Sequence, residues 1–333
     1  MTRGRGVRFP VRAPGATGAA IRAAIAAEER GMAAGRGPID YAARIDRLRR
    51  TLADGELDAA VIRSPANIAY LSGFHALMYS RPISLVVDEA RTTLVVPGLE
   101  GEHAIKAATV DDLAVYHEYP ERGSHGESAT DALTDRLRAS SIRRLGLEYT
   151  TAPIALREQI EAAGITTDDI SPVLALMRLL KDDAEIAAIR RAAVLARVGV
   201  MATLEASLPG RSNLEIASVG TTAILEAASS LEAEATINLL EFTTSGPETS
   251  LPHLITSTRR LTRPDLVIHS RQVAVDGLRA ELERTFALGA MDAATRRYFD
   301  VMEEAQLAAI AAIRPGVAMR EIDAAARRII QPN

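Results

Sequence analysis

The stretch LLKDDAEIAAIRRAAVLARVGVMATLEASLPG, residues 179–210, separates two kinds of sequence and decides how the chain is divided. Asp182, followed by Glu185 three residues later, is the capping-box pattern that begins a helix, and the closing Pro-Gly pair ends it. Before this stretch short strands and helices alternate, whereas after it a helix, several strands and two more helices follow one another. Alternation is typical of an α/β domain and segregation of an α+β domain. We therefore predict a domain boundary near residues 172–182.

The composition restricts the partners and cofactors that the chain can have. Its 333 residues suffice for two domains, and 47% hydrophobic with 25% charged residues is typical of a globular protein. A net charge of -4 argues against nucleic acid as a partner, and the absence of a run of ~20 apolar residues argues against a membrane. Because there is no cysteine, a metal would have to be bound by His, Asp and Glu. We expect a cytoplasmic protein.

Three regions follow from the pattern along the chain. Residues 1–37 combine Gly, Pro, Ala and Arg without an apolar face, so we predict a disordered or spurious leader rather than a targeting segment. Residues 38–171 are predicted to form the α/β domain, in which Ser64-Pro65 is expected to begin a helix. Residues 172–333 are predicted to form the second domain. Its expected elements are a helix beginning at the capping box Ser212-x-x-Glu215, strands at 235–243 and 265–286, and helices at 292–313 and 318–330.

Two carboxylates near the end of the second strand region indicate a function. Successive strand residues alternate between faces, so Glu281 and Glu283 lie on one face, ~6.6 Å apart at ~3.3 Å per residue. Adjacent carboxylates repel each other, which favours a cation, a cationic substrate or a proton-transfer role. The alternative is a solvated pair on an edge strand, since most glutamates are exposed.

Four stretches, in this order, resemble the pita-bread hydrolases, the family of creatinase, aminopeptidase P and prolidase. The stretches are NIAYLSGF (67–74), RLLKDDAEIAAIRRAA (178–193), TSGPETSLPH (244–253) and ERTFALG (283–289). The resemblance runs from about residue 40 to the end of the chain. It implies a creatinase N-terminal-like α/β domain followed by an incomplete α+β pita-bread domain, and a homodimer for an intact chain.

The resemblance also implies a metal centre that this sequence does not reproduce. Metal-dependent members of the family bind two divalent cations (Mn, Co or Zn) through Asp, Asp, His, Glu and Glu. The first position falls on Ser270, which is not expected to bind, and the second on Glu281, a weak candidate. His269 points to the other face of the strand and cannot replace Ser270. The other three ligands would lie beyond Asn333, so we expect a fragment that binds no metal cofactor as it stands.

Site residues follow from the same resemblance. Creatinase, which has no metal, shares the Leu-Glu-Arg-Thr of residues 282–285, so Glu283 is predicted to bind the cationic part of a substrate and to take part in catalysis. His253 matches the family's catalytic histidine, although a lone histidine is more often structural. Arg81 is predicted to bind a substrate carboxylate across a dimer interface, unless it is an ordinary surface arginine.

The predicted function is that of a family hydrolase. It would act on a C–N bond of a short peptide or of a small guanidino or amino compound, with this chain expected to be an inactive fragment. The alternative is a non-catalytic pita-bread binding module, as in relatives that have lost their metal ligands.

Overall fold

The structure is a computed structural model that describes residues 39–75, 81–117, 128–231, 234–251 and 253–331. The leader predicted over residues 1–37 lies outside these ranges. No helix within them combines the length and the apolar character needed to span a bilayer.

The N-terminal domain contains six strands in one sheet. They are β1 (Ala59–Ile62), β2 (Ser84–Asp88), β3 (Thr92–Pro97), β4 (Asp112–Tyr116), β5 (Arg144–Leu147) and β6 (Thr166–Asp169). The strand order is β4-β3-β2-β1-β5-β6. Strand β2 is antiparallel to both neighbours, and the other pairs are parallel, so the five remaining strands run in one direction.

Six helices cover the two faces of this sheet. They are α1 (Tyr41–Asp54), α2 (Pro65–Ser72), α3 (Gly101–Ala107), α4 (Ala129–Ala139), α5 (Ile154–Ala162) and α6 (Ser171–Leu179). Helices α1, α2, α3 and α6 pack on one face and helices α4 and α5 on the other. All four residues of β1 are buried because they contribute to both cores. The expected α/β domain is confirmed.

Helix α2 begins at Pro65 with Ser64 in the N-cap position, as predicted. The Ser64 side chain makes no capping hydrogen bond. Instead, Oε2 of Glu148, which follows β5, accepts hydrogen bonds from the backbone N–H groups of Arg63 and Ser64, both at 2.7 Å. A carboxylate is favourable at a helix N-terminus, because it meets unpaired N–H groups and the positive end of the helix dipole. A contact distant in sequence has therefore replaced the local cap.

The stretch NIAYLSGF connects helix α2 to the rest of the domain. The amide of Asn67 donates to Glu148 at 2.5 Å, and the hydroxyl of Tyr70 donates to the carbonyl of Met177 in α6 at 3.1 Å. Gly73 ends the helix at φ 73°, a left-handed conformation that favours glycine. These contacts give the stretch a structural role.

The second domain begins with two layers, in which helices pack over a sheet. Its elements are α7 (Asp183–Ala206), α8 (Asn213–Ala228), β7 (Ile237–Ser245), β8 (Asp265–Val275), β9 (Leu278–Leu288), α9 (Ala293–Ala312) and α10 (Met319–Ile330). Both predicted capping boxes are present, at Asp182 with Glu185 and at Ser212 with Glu215. The guanidinium of Arg44 in α1 bonds to Asp182 at 2.6 Å and so ties the first domain to the start of α7.

Strands β7, β8 and β9 form an antiparallel sheet in that order. Asp276 and Gly277 join β8 to β9 with φ values of 50° and 76°, the conformation of a tight hairpin turn. Helices α7 and α8 pack against one face of this sheet. The expected α+β domain is confirmed.

Candidate functional site

The strand register places the two predicted carboxylates on one face of the three-stranded sheet. Ser270 of β8 lies between Phe242 of β7 and Glu283 of β9, and Gln272 is paired with Glu281. Side chains at alternate positions share a face, so all of these residues lie on the face away from helices α7 and α8. We call this the acidic face. Glu281 and Glu283 are both exposed, as the alternative of a solvated pair also required.

Ser270 makes a side-chain contact within the acidic face. Its side chain is buried, and its hydroxyl donates a hydrogen bond to Oε1 of Glu281 at 2.8 Å. The bond runs diagonally, since Ser270 is paired with Glu283 in the register. Glu281 is thereby held in place, while the carboxylate of Glu283 remains available to a ligand.

His253 lies near the same face. Its ring centroid is 6.3 Å from that of Phe242, in a tilted arrangement. Phe242 is the direct neighbour of Ser270 across β7 and β8. The exposed imidazole is therefore on the side of the sheet that carries the two carboxylates. Its catalytic role and that of Glu283 stay predictions.

Arg81 lies elsewhere in the chain, in the N-terminal domain just before β2, and is partly buried. The predicted contact of Arg81 with a substrate carboxylate requires a second subunit, so this role also stays a prediction.

The opposite face of the sheet carries a buried polar network. Arg271, 1% exposed, extends between helices α7 and α8. Its guanidinium donates to the Thr221 hydroxyl at 2.7 Å, to the Thr203 hydroxyl at 3.1 Å and to the carbonyl of Ala217. The only described carboxylate within ion-pair distance of it is Glu241, at 3.9 Å.

The network continues through a fully buried imidazole. Nε of Arg271 donates to Nε2 of His269 at 3.1 Å, so Nε2 must carry a lone pair. The proton is then on Nδ1, which donates to Thr243 at 2.8 Å, and the Thr243 hydroxyl donates to Glu241 at 3.1 Å. Burial, with a smaller contribution from the charge of Arg271, lowers the pKa of His269 to about 3. Burial likewise lowers the pKa of Arg271, against the opposing effect of Glu241.

Two glycines let α7 and α8 approach each other closely, and one of them, Gly220, also makes room for this guanidinium. A Cβ on Gly220 would lie 2.1 Å from the Thr203 hydroxyl and 2.4 Å from a terminal nitrogen of Arg271. A Cβ on Gly199 would lie 2.4 Å from Ile224. The close approach of α7 and α8 therefore depends on glycine at both positions.

Sequence reasoning placed His269 on the face opposite Ser270, which is confirmed, but it missed the network. Part of the pattern that indicates this network is present in the sequence. His269 and Arg271 lie between Val267 and Val273 on the face of β8 that is buried under helices. Glu241 and Thr243 occupy the same face of the neighbouring strand. What the sequence did not contain was the position of α7 and α8, which together supply three of the contacts to Arg271.

The two-metal centre implied by the resemblance can be compared with the residues at its first two positions. Ser270 contributes a neutral hydroxyl whose proton is directed at Glu281, so this pair brings one negative charge where two aspartates would bring two. Paired divalent cations need several anionic oxygen ligands. Within the described ranges, no group of three or more His, Asp or Glu side chains is arranged to hold a metal ion. Ser270 and Glu281 by themselves therefore do not supply the anionic ligands that a metal pair needs.

Comparison with known proteins gives matches over both domains. Residues 44–180 match the family model described as Creatinase/Prolidase N-terminal domain, and residues 187–333 match the one described as Metallopeptidase family M24. Together the two matches account for most of the described chain.

Individual relatives agree with these matches. The chain is 29% identical over 305 residues to a putative dipeptidase, YkvY, of Bacillus subtilis, covering 86% of this chain and 77% of the relative. It is 26% identical over 289 residues to an Xaa-Pro dipeptidase of Pyrococcus furiosus, with the same coverage. The crystal structure of the prolidase from Pyrococcus horikoshii superposes with a TM-score of 0.73 at 23% identity, covering 87% of this chain and 77% of that one, which shows a shared fold.

Proposed function

The chain belongs to the creatinase/aminopeptidase P/prolidase family, and on that premise we propose that it is a hydrolase of a C–N bond in a short peptide or a small amino or guanidino compound. The acidic face would bind the cationic group of the substrate. The observation that carries the proposal is the common placement of Glu281, Glu283 and, beside Phe242, His253. A cytoplasmic location and a homodimer remain predictions.

Each residue of the acidic face has a distinct part in the proposal. Glu283 would accept hydrogen bonds from an ammonium or guanidinium group, because a carboxylate and a cationic donor form the stronger class of hydrogen bond. Ser270 would keep Glu281 beside Glu283 through the 2.8 Å hydrogen bond that it donates to Glu281. Hydrolysis places the hydroxyl of water on carbon and a proton on the leaving nitrogen. An imidazole such as that of His253 can accept and donate a proton near neutral pH, which suits this transfer.

The proposal is tested by replacing single carboxylates and measuring hydrolysis of Xaa-Pro dipeptides and of creatine, with and without Mn²⁺. Glu283→Gln keeps the size of the side chain and removes its charge. We expect KM for the cationic substrate to rise by about 10-fold to 100-fold, the effect of one charge-assisted hydrogen bond. Glu304→Gln, at an exposed position of α9, is the matched control and should leave KM unchanged.

Two outcomes would contradict this assignment. Equal kinetic constants for wild type and Glu283→Gln would remove the role of that carboxylate. Activity that depends strongly on Mn²⁺ would show that the acidic face is a metal site after all.

The second candidate is a non-catalytic binding module, which the serine at the first ligand position favours. In that case creatine or an Xaa-Pro dipeptide would bind to the wild type and not to Glu283→Gln, with no hydrolysis of either. Measured turnover by the wild type would exclude this candidate.

A further inference from the structure

The six-stranded sheet of the N-terminal domain changes its direction of winding between β1 and β5. Strands β1 and β5 are parallel neighbours, so their carboxyl ends lie side by side. Helix α2, which follows β1, packs on one face of the sheet, and helix α5, which follows β5, packs on the other. The chain thus leaves the two strands in opposite directions. Ligands of open α/β sheets bind in the crevice that such a switch of direction creates.

Arg63 and Glu148 are the first residues beyond these two strand ends. Their side chains differ in whether their polar atoms have hydrogen-bond partners. The carboxylate of Glu148 is buried and fully used: it accepts from two backbone N–H groups and from Asn67. The guanidinium of Arg63 is partly buried, and its Nε has neither solvent contact nor a hydrogen-bond partner. Among the described residues, no carboxylate lies within ion-pair distance of it.

The described residues named next to Arg63 are apolar or already hydrogen-bonded. By strand alternation, its side chain shares a face with Ala59 and Val61, which pack with Tyr116 under helices α4 and α5. The Tyr116 hydroxyl donates to the carbonyl of Pro82 at 2.9 Å. Burial lowers the pKa of Arg63, although Tyr116 and Glu148 act in the other direction. A buried N–H group without a hydrogen-bond acceptor, such as Nε–H of Arg63, is costly and calls for an explanation.

We propose that Arg63, at the crevice between β1 and β5, binds a small carboxylate. The planar fork of a guanidinium matches a carboxylate with two parallel hydrogen bonds. A single positive charge suits a monoanion. A phosphate dianion would meet more repulsion than a monoanion from the negative charge of Glu148, which acts on Arg63. The site is separate from the acidic face and does not depend on the hydrolase activity proposed above.

The test is a titration of the full chain with acetate, and separately with inorganic phosphate, at constant ionic strength set by chloride. The readout is the Nε–H resonance of Arg63 in nitrogen–proton NMR spectra, together with the rise of Tm. We expect acetate to move the resonance and to raise the Tm of the wild type. Arg63→Gln should raise the apparent Kd for acetate, obtained from the rise of Tm, by at least about tenfold. This is the factor that one charge-assisted hydrogen bond supplies.

Arg91→Gln is the matched control, because Arg91 is an exposed arginine at the opposite edge of the same sheet, in the turn between β2 and β3. It makes the same change in charge and should respond to acetate like the wild type. Arg63→Lys keeps the charge but not the fork, so it should also bind acetate more weakly, and it serves if Arg63→Gln does not fold. An equal response in wild type and Arg63 variants, no response to acetate, or a response to phosphate alone would overturn the proposal.

Discussion

Acid should destabilise the second domain through His269, and the structure gives the size of this effect. His269 is 0% exposed and neutral, with its pKa lowered to about 3, whereas an unfolded chain holds histidine near its ordinary value of 6.5. Between these two values the unfolded state binds more protons than the folded state. The free energy of unfolding therefore falls as the pH falls through this window, and it is constant above it.

The magnitude follows from the width of the window. Each pH unit within it changes the free energy of unfolding by at most about 1.4 kcal/mol. Between about pH 6.5 and about pH 4.5, His269 alone should cost ~2–3 kcal/mol, a large part of the stability of a typical domain. Protonation would place a second cation against Nε of Arg271, 3.1 Å from Nε2 of His269.

The assay compares the wild type with His269→Gln, which cannot titrate but retains an amide oxygen that can accept from Arg271. Urea denaturation is followed by circular dichroism at several pH values. Carboxylates and the other histidines titrate in both proteins, so they cancel in the difference between the two. The variant should be less stable at neutral pH, and the gap should narrow by ~2–3 kcal/mol on acidification to about pH 4.5.

A gap that stays constant with pH would refute the reasoning, because it would mean that His269 titrates alike in the folded and unfolded chains. A second measurement is independent of stability. Nitrogen NMR shifts of the imidazole at neutral pH should show the proton on Nδ1, and a proton on Nε2 would contradict the hydrogen-bond directions derived above.

Two further substitutions probe the same buried network by urea denaturation. Arg271→Met removes four hydrogen bonds and leaves their acceptors buried, so we expect the free energy of unfolding to fall by ~3–5 kcal/mol. Arg279→Met, on the exposed part of β9, is the control and should change the free energy of unfolding by less than about 0.5 kcal/mol. Gly220→Ala introduces a Cβ 2.1 Å from the Thr203 hydroxyl and should cost ~1–3 kcal/mol, while Thr222→Ala on the exposed side of the same helix should be neutral. Wild-type stability in Arg271→Met or Gly220→Ala would show that the helices can separate from the sheet at little cost.

The local signals in the sequence identified the elements that they lie within. The capping boxes at Asp182 and Ser212 join residues three positions apart, so their geometry is complete once the helix begins. Strand alternation is equally local. It placed Glu281 and Glu283 on one face of their strand, and His269 on the face opposite Ser270, before any packing was known.

Contacts between distant parts of the chain decided the rest. The sequence assigned the start of helix α2 to Ser64, but Glu148, 84 residues further on, accepts the hydrogen bonds there. Nothing near position 271 indicates that Thr203, Thr221 and Ala217 surround its guanidinium. A cap or a turn depends on a few neighbouring dihedral angles, and the sequence alone settled these. The partner of a buried charge depends on which helices pack over it, and only the tertiary structure determined that.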